Sequence, residues 1–273
     1  MSGSGTWSDL GPRLASAIVM IVIAALALSM GGVWLRLLLV GATAAMMWEL
    51  IAMTHAPYAD PPRHLPLIAA AVMAVAMVMG LFFDNALALL IPLAGAAATA
   101  GRAAGPVMRT LAPLYAGVIG IAAFVLIALR EQNGEAEGLA AVLWLIGVVV
   151  ASDVLGYLAG RSLGGPKFWP AISPKKTWSG TVAGWIGGAL VGAGFAAAGK
   201  VGWAIVPVSI LVAFAGQMGD IAESAMKRRA GVKDSSHLIP GHGGFLDRFD
   251  ALIGAALTVY ILTQLGLMPT FGG

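Results

Sequence analysis

The sequence contains no cysteine and few charged residues. Its 273 residues include 16 Lys and Arg, 13 Asp and Glu and 4 His, so charged residues make up 11% of the chain, against about a quarter in a soluble domain. Without cysteine, the chain cannot form disulfides, thiolate zinc sites or a cysteine nucleophile. The net charge of +3 is too small to indicate a nucleic-acid partner, so the positions of the charges matter more than their sum.

Long apolar runs fill most of the chain instead. Hydrophobic residues make up 59% of it, and runs of roughly 18 or more apolar residues are typical of membrane-spanning helices. We therefore predict an all-α, polytopic integral membrane protein, a helical bundle of about nine transmembrane helices in one continuous membrane domain. The segments are predicted at 13–31, 33–53, 65–82, 85–100, 111–129, 138–160, 179–199, 201–226 and 250–268.

The basic residues predict the orientation of these spans. Thirteen of them fall in the N-terminal segment and in the loops after even-numbered spans, whereas the opposite loops hold only Arg130 and Lys200. The positive-inside rule then places the N-terminus in the cytoplasm and the C-terminus outside. Residues 1–11 are interpreted as a flexible lead-in, and the first run as a span rather than a cleaved signal peptide, because a second span follows almost at once. The compact, Ala- and Gly-rich chain favours a bacterial inner (plasma) membrane.

Charge is concentrated between the last two spans, from Ser224 to Asp250. At the end of span eight, polar residues recur at three- and four-residue spacing and so share one helix face: Gln217, Asp220, Glu223 and Ser224. Asp247 and Asp250 lie three apart at the start of span nine. Two such carboxylate pairs can hold a hard cation, and Mg²⁺ prefers oxygen ligands, whereas zinc would call for Cys or paired His. The alternative is two helix ends salt-bridged to nearby basic residues.

A polar stripe runs along span six. Asp153, Tyr157 and Arg161 are spaced four residues apart and so lie on one helix face. Ionisable groups at membrane depth are costly and are therefore functional candidates. A structural Asp–Arg or Asp–Tyr pair is the alternative.

Glu49 lies near the end of span two, beside a loop that holds His55, Tyr58 and Asp60. We interpret it as an interfacial carboxylate that snorkels to the headgroups, with a catalytic role as the alternative. His55 and His64 are interpreted as loop histidines rather than metal ligands.

A second basic loop, from Ser173 to Gly180, leads into span seven. Pro174 blocks a helix before it, and Thr177 or Ser179 could cap the helix that follows. Backbone N–H groups at a helix start, together with Lys175 and Lys176, make a phosphate site. A positive-inside anchor explains the two lysines equally well.

Small residues recur every four positions in span seven, at Gly180, Gly184, Gly188 and Gly192. On a helix they fall close to one stripe, which lets another backbone approach closely. Packing within the protomer and a dimer contact are both open interpretations.

The Ser224–Asp250 stretch resembles the signature of the phosphatidate cytidylyltransferases, also called CDP-diacylglycerol synthases. The matching positions are Ser224, Met226, Lys227, Arg228, Lys233, Asp234, Ser236, Ile239, Pro240, His242, Gly243, Gly244, Phe245, Asp247, Arg248, Phe249 and Asp250. The Ser-Pro-Lys-Lys-Thr-Trp loop and the span-six stripe, with Gly160, also resemble family elements. The match covers about the C-terminal half, so we divide the chain into an N-terminal transmembrane scaffold, 1–140, and a C-terminal catalytic transmembrane region, 141–273.

The resemblance implies an Mg²⁺-dependent nucleotidyltransferase of phospholipid biosynthesis. It would transfer a cytidylyl group from CTP to phosphatidic acid and give CDP-diacylglycerol and pyrophosphate. A homodimer in the lipid bilayer and an active site that faces the cytoplasm are also implied. Asp220 and Asp247 are the implied metal ligands, with K⁺ or a second divalent cation beside the Mg²⁺. Glu223 and Asp250 would be further ligands or would hydrogen-bond to the ligands from behind.

The resemblance also implies roles for the other polar side chains. The implied phosphate clamps are Lys227, Arg228, Lys233 and Arg248. The other implied substrate-binding residues are Ser173, Lys175, Lys176, Thr177, Ser224, Gly243, Gly244, Asp153, Tyr157 and Arg161. His242 would bind phosphate or assist proton transfer.

Two other functional classes fit parts of the pattern. A cation-coupled secondary transporter also combines many spans with buried carboxylates, but transporters place charges near mid-membrane and show internal repeats. Here the charges cluster at the predicted cytoplasmic ends, and no repeat is found. The second alternative is a CTP-dependent transferase with another lipid acceptor, such as a polyprenol.

Overall fold

The structure, a computed structural model, describes residues 10–55, 63–83, 86–132 and 134–272. Most of the predicted lead-in lies outside these ranges, as do Tyr58 and Asp60 of the loop after span two.

Nine α-helices lie within the described residues, one for each predicted apolar segment. They are α1 Leu10–Met30, α2 Gly32–Thr54, α3 His64–Phe82, α4 Ala86–Ala103, α5 Leu111–Glu131, α6 Glu135–Ser162, α7 Trp178–Ala197, α8 Ile205–Arg229 and α9 Leu246–Gln264, with a 3-10 turn at Pro106–Met108. Six of them, α2, α3, α5, α6, α7 and α8, are long and apolar enough to cross a membrane. The prediction of a mostly helical, multi-pass membrane protein is therefore confirmed.

A short β-hairpin between α6 and α7 departs from the all-α prediction. Strand β1, Lys167–Trp169, pairs antiparallel with strand β2, Ser173–Thr177. Gly164 and Gly165 have φ of 62° and 103° and end α6. Pro174 cannot continue a helix and favours an extended residue before it. The segment predicted as a basic loop is thus a strand.

The chain folds as two compact units. The first comprises Met1–Gly120 and Arg229–Arg248, and the second Ile121–Arg228 and Phe249–Gly273. The first unit has a methionine-rich core in which Met47, Met73 and Met77 are fully buried. In the second unit the buried Trp144 donates its indole N–H to the Ser209 hydroxyl at 2.8 Å and packs against Phe271, with ring centroids 5.9 Å apart.

The glycine stripe of α7 packs within the second unit. A Cβ on Gly180 would lie 2.5 Å from the Gly156 carbonyl of α6, and one on Gly184 would lie 2.7 Å from the Ser152 hydroxyl. On Gly188 it would meet the Ser209 carbonyl of α8 at 2.9 Å. Of the two interpretations left open by the sequence, packing within the protomer is confirmed for this stripe.

Candidate active site

A tight glycine turn precedes α9 in the first unit. The Ile239 N–H donates to the Gly243 carbonyl at 2.8 Å, and the His242 N–H donates to the Ile239 carbonyl at 2.9 Å. Gly243 has a φ of 84°, which favours glycine, and a Cβ there would lie 2.9 Å from Asp247 Oδ2. Both conformation and space therefore require glycine at this position.

The Asp247 carboxylate ties the start of α9 to the preceding loop. Its Oδ2 accepts the Gly244 N–H at 2.8 Å, the Ser235 N–H at 2.9 Å and the Ser235 hydroxyl at 2.9 Å. The bond to Gly244, three residues earlier, ties the first turn of α9 to the residues before it. Asp247 is thus oriented by its own helix end.

Glu49 of α2 also lies at the start of α9, and it is fully buried. Its carboxylate accepts the backbone N–H groups of Phe245 at 2.9 Å and Leu246 at 2.7 Å, and the Ser236 hydroxyl at 2.6 Å. The interpretation of Glu49 as a snorkelling interfacial carboxylate is therefore wrong. The donors come from a segment almost two hundred residues away, so the only local signal was the presence of an acid in an apolar span.

The side chain of His242 contacts α1, and its backbone carbonyl accepts a hydrogen bond from Arg248. Its Nδ1 lies 2.8 Å from the Ser16 hydroxyl, which also donates to the Pro240 carbonyl at 3.0 Å. If that hydroxyl proton goes to Pro240, Nδ1 carries the ring hydrogen and donates to Ser16, which leaves Nε2 as the acceptor nitrogen. The Arg248 Nε donates to the His242 carbonyl at 2.9 Å, so the histidine and the arginine of the motif are held together.

The second unit gathers acidic and basic side chains around Asp220. Lys176 of β2 forms an ion pair with Asp220 at 2.5 Å and donates to the Gln217 carbonyl at 3.3 Å. Asp153 and Asp250 both interact electrostatically with Asp220. The structure thus brings together three predicted carboxylates and one predicted phosphate-binding lysine.

Side chains of α8 make further contacts. The Ser224 hydroxyl donates to Asp220 at 3.3 Å, and Lys227 forms an ion pair with the fully buried Glu223. The Gln217 amide donates to the Ser152 hydroxyl at 3.2 Å and accepts the Trp185 indole N–H at 3.1 Å. Gln217 therefore links α8 to α6 and α7, three residues before Asp220.

The polar stripe of α6 is only partly paired. Arg161 donates to the Tyr157 hydroxyl at 2.7 Å, and both side chains are exposed. Among the described residues, Asp153 bonds neither of them and lies instead near Lys176 and Asp220. The alternative of a structural Asp–Arg or Asp–Tyr pair is therefore wrong.

The hairpin leads directly into α7, which begins with the predicted helix cap. The Thr177 hydroxyl accepts the Gly180 N–H at 3.2 Å, which confirms Thr177 as the helix cap. The Ser179 hydroxyl donates to the Gly164 carbonyl at 2.5 Å and so closes the hairpin base. Lys175 is exposed and Ser173 is half-buried.

The remaining predicted phosphate-binding side chains lie at the surface. Arg228, Lys233 and Arg248 are exposed, whereas Gly244 is buried. Asp220 belongs to the second unit and Asp247 to the first.

The donor chemistry around Asp220 suits a hard cation. Asp220, Ser224 and Asp250 offer only oxygen atoms, which Mg²⁺ prefers. Within the described part of the chain, no group of three or more His, Asp or Glu side chains is spaced to hold a metal. An ion that keeps several waters and binds substrate phosphates needs only one or two carboxylates from the protein.

Comparison with known proteins extends the resemblance seen in the C-terminal half. A model of the cytidylyltransferase family matches residues 12–266. A phosphatidate cytidylyltransferase of Brucella abortus is 42% identical over 142 residues, which cover 50% of this chain and 52% of that protein. The enzyme of that name from Helicobacter pylori is 41% identical over 128 residues, 46% of this chain and 47% of its own. The phosphatidate cytidylyltransferase of Staphylococcus aureus is 39% identical over 122 residues, which cover 44% of this chain and 47% of that protein. The chain thus spans about half the length of the curated relatives it matches.

Proposed function

Because the chain belongs to the cytidylyltransferase family, whose model matches residues 12–266, we propose that it transfers a cytidylyl group from CTP to phosphatidic acid. The products are CDP-diacylglycerol and pyrophosphate. The observation that carries the proposal is the 42% identity over 142 residues to a phosphatidate cytidylyltransferase.

The reaction joins two anions. A phosphate oxygen of phosphatidic acid attacks the α-phosphorus of CTP and forms a new P–O bond, while the bond from that phosphorus to the β-phosphate oxygen breaks and pyrophosphate leaves. Transfer of this kind depends on positioning and charge neutralisation. The loops that follow α6 and α8 supply basic side chains for this purpose.

We assign Asp220 and Asp247 as ligands of Mg²⁺, with Asp250 as a further ligand. When bound, Mg²⁺ would neutralise phosphate charge and polarise the P–O bonds. The proximity of Asp250 to Asp220 supports its role. Glu223, predicted as a ligand, forms an ion pair with Lys227, so we assign it to holding that lysine. K⁺ or a second divalent cation remains part of the proposal.

The exposed cations are assigned to the phosphates of CTP. Lys175 extends from the hairpin, and Arg228 and Arg248 suit bidentate phosphate contacts. Lys176 forms an ion pair with Asp220 and would exchange that carboxylate for a phosphate oxygen when CTP binds. His242, whose Nδ1 contacts Ser16, would accept a proton in transfer at Nε2 when the ring is neutral, or donate from Nε2 to a phosphate oxygen when the ring is protonated.

We further propose that all nine helices span a bacterial inner membrane, with the N-terminus and the active site on the cytoplasmic side, and that the enzyme is a homodimer. The concentration of basic residues in the loops after even-numbered helices supports this orientation. Measuring the mass of the detergent-solubilised protein tests the dimer.

The activity is tested with purified protein, Mg²⁺ and CTP labelled in the cytidine and in the γ-phosphate. With phosphatidic acid in mixed micelles, we expect a lipid-linked CMP product and one equivalent of labelled pyrophosphate. Product only with a polyprenyl phosphate would identify another acceptor and overturn the proposed substrate. Absence of product with every acceptor, from protein that is folded by circular dichroism, would overturn the transferase assignment.

A further inference from the structure

Glu49 carries an interaction that the proposed chemistry does not by itself require. It lies on α2, far in sequence from the charged motif, and is 0% exposed. A buried carboxylate is costly unless its oxygens are hydrogen-bonded. Both of its oxygens are bonded here, and every donor described for them belongs to the segment from Ser235 to Leu246.

The donors around Glu49 are of two kinds. Oε1 accepts the Phe245 N–H at 2.9 Å and the Ser236 hydroxyl at 2.6 Å. Oε2 accepts the Leu246 N–H at 2.7 Å. The first N–H groups of a helix lack partners within the helix and favour an anion, so Glu49 supplies what a capping side chain would otherwise supply.

Gly244 makes this arrangement possible. A Cβ at position 244 would lie 2.6 Å from Glu49 Oε1, so any side chain there would displace the carboxylate. Glycine at position 244 therefore leaves room for the Glu49 carboxylate, which caps the start of α9 in place of a side chain from the same segment.

Glu49 and Asp247 bind the same serine. The Ser235 hydroxyl lies 2.9 Å from Asp247 Oδ2 and 3.4 Å from Glu49 Oε2, while its N–H donates to Asp247. Asp247 Oδ2 also accepts the Gly244 N–H, next to the two N–H groups bound by Glu49. The two carboxylates therefore fix the same loop and the same helix start.

We propose that Glu49 is a positioning residue that orients Asp247 by holding Ser235–Ser236 and the first turn of α9. Its role in catalysis rests on the proposed function, whereas its role in ordering this segment does not. Glu49 touches no reacting atom. It acts through Asp247, whose carboxylate must be placed within tenths of an ångström to be effective.

The first test uses the ligand-free protein. In Glu49→Gln one oxygen becomes an NH₂ group that cannot accept a backbone N–H. We expect hydrogen exchange of the amides in the 235–248 segment to become about tenfold faster or more. Glu135→Gln, the same change at an exposed position of α6, should leave this exchange unchanged. Unchanged exchange in Glu49→Gln would overturn the proposal whether or not the protein is an active transferase.

The second test separates positioning from folding. We expect the kcat of Glu49→Gln to fall about 100-fold and the Mg²⁺ concentration for half-maximal activity to rise, while the KM for CTP changes less than about threefold. A purely structural role would lower the amount of folded enzyme and leave the Mg²⁺ requirement of the folded fraction unchanged, and that result would overturn the positioning role.

If Glu49→Gln does not fold, Ser236→Ala removes a single bond to Glu49 and should shift the Mg²⁺ requirement in the same direction. An unshifted requirement in that variant counts against the proposal. A wild-type protein without activity would contradict the proposed function alone, and the exchange experiment would still decide the ordering role.

Discussion

At the scale of single residues, Asp220 and Asp247 have similar predicted roles but different surroundings. Asp220 pairs with Lys176, whereas Asp247 accepts backbone and hydroxyl donors at the start of α9. Removing the charge from either one therefore has a local structural consequence that can be separated from its effect on catalysis.

Asp220→Asn and Asp247→Asn should each reduce CTP-dependent product formation by more than about 100-fold, because each removes a carboxylate that we assign to holding the Mg²⁺, and the bound ion would neutralise phosphate charge. Asp247→Asn should also lose about 1 kcal/mol of stability, the typical worth of a helix-end cap. Activity is measured with labelled CTP, and stability as the Tm in detergent. Near-normal turnover in either variant would show that its carboxylate is not a metal ligand.

Lys175 offers a cleaner test of the nucleotide site, because it is exposed. Lys175→Ala should raise the KM for CTP about tenfold and leave kcat nearly unchanged, since a phosphate contact made equally in the ground and transition states contributes only uniform binding. Lys167→Ala removes the same charge from the partner strand β1 and serves as the control, with less than about a twofold change. Equal effects of the two substitutions would indicate a general electrostatic field rather than a contact at Lys175.

At the scale of elements, the apolar runs predicted all nine helices, because a long uninterrupted apolar segment has few alternatives in lipid. The errors were at helix ends, by up to four residues. One example is α9, which begins at Leu246 instead of 250 and so includes Asp247. The hairpin of β1 and β2 was missed, since its three and five residues leave too short a pattern to read.

The candidate site was predictable where its residues recur on one helix or fill a motif. Asp220, Ser224 and Asp247 were identified in this way. The partners of Glu49 were not, because they are backbone N–H groups of a distant segment, which no sequence pattern displays.

The packing of α7 yields a prediction for this element. Gly188→Ala should destabilise the protein by about 1–3 kcal/mol, because its Cβ would lie 2.8 Å from the Ala213 Cβ and 2.9 Å from the Ser209 carbonyl. Gly194→Ala, on the same helix, meets nothing within 4 Å and should be neutral or stabilising by up to about 1 kcal/mol. The Tm of each variant in detergent measures the difference. A stable Gly188→Ala would mean that α7 and α8 are less closely packed than described.

At the scale of the whole molecule, the orientation in the membrane decides whether the charged loops can meet CTP. The loops after α2, α4, α6 and α8 share one side if every helix crosses, and they carry most of the basic residues. A C-terminal fusion at Gly273 then lies on the opposite side. Alkaline phosphatase, which is active only outside the cytoplasm, should be active at Gly273 and inactive when fused after Gly165, whereas a fluorescent reporter should behave in the opposite way at each position.

A cytoplasmic C-terminus with a cytoplasmic Gly165 would mean that an odd number of the last three helices, α7 to α9, does not cross. Since α9 is the one of those three that length and composition do not mark as a span, it would be the helix to reassign, and Asp247 and Asp250 would then lie on a helix that remains at the cytoplasmic surface.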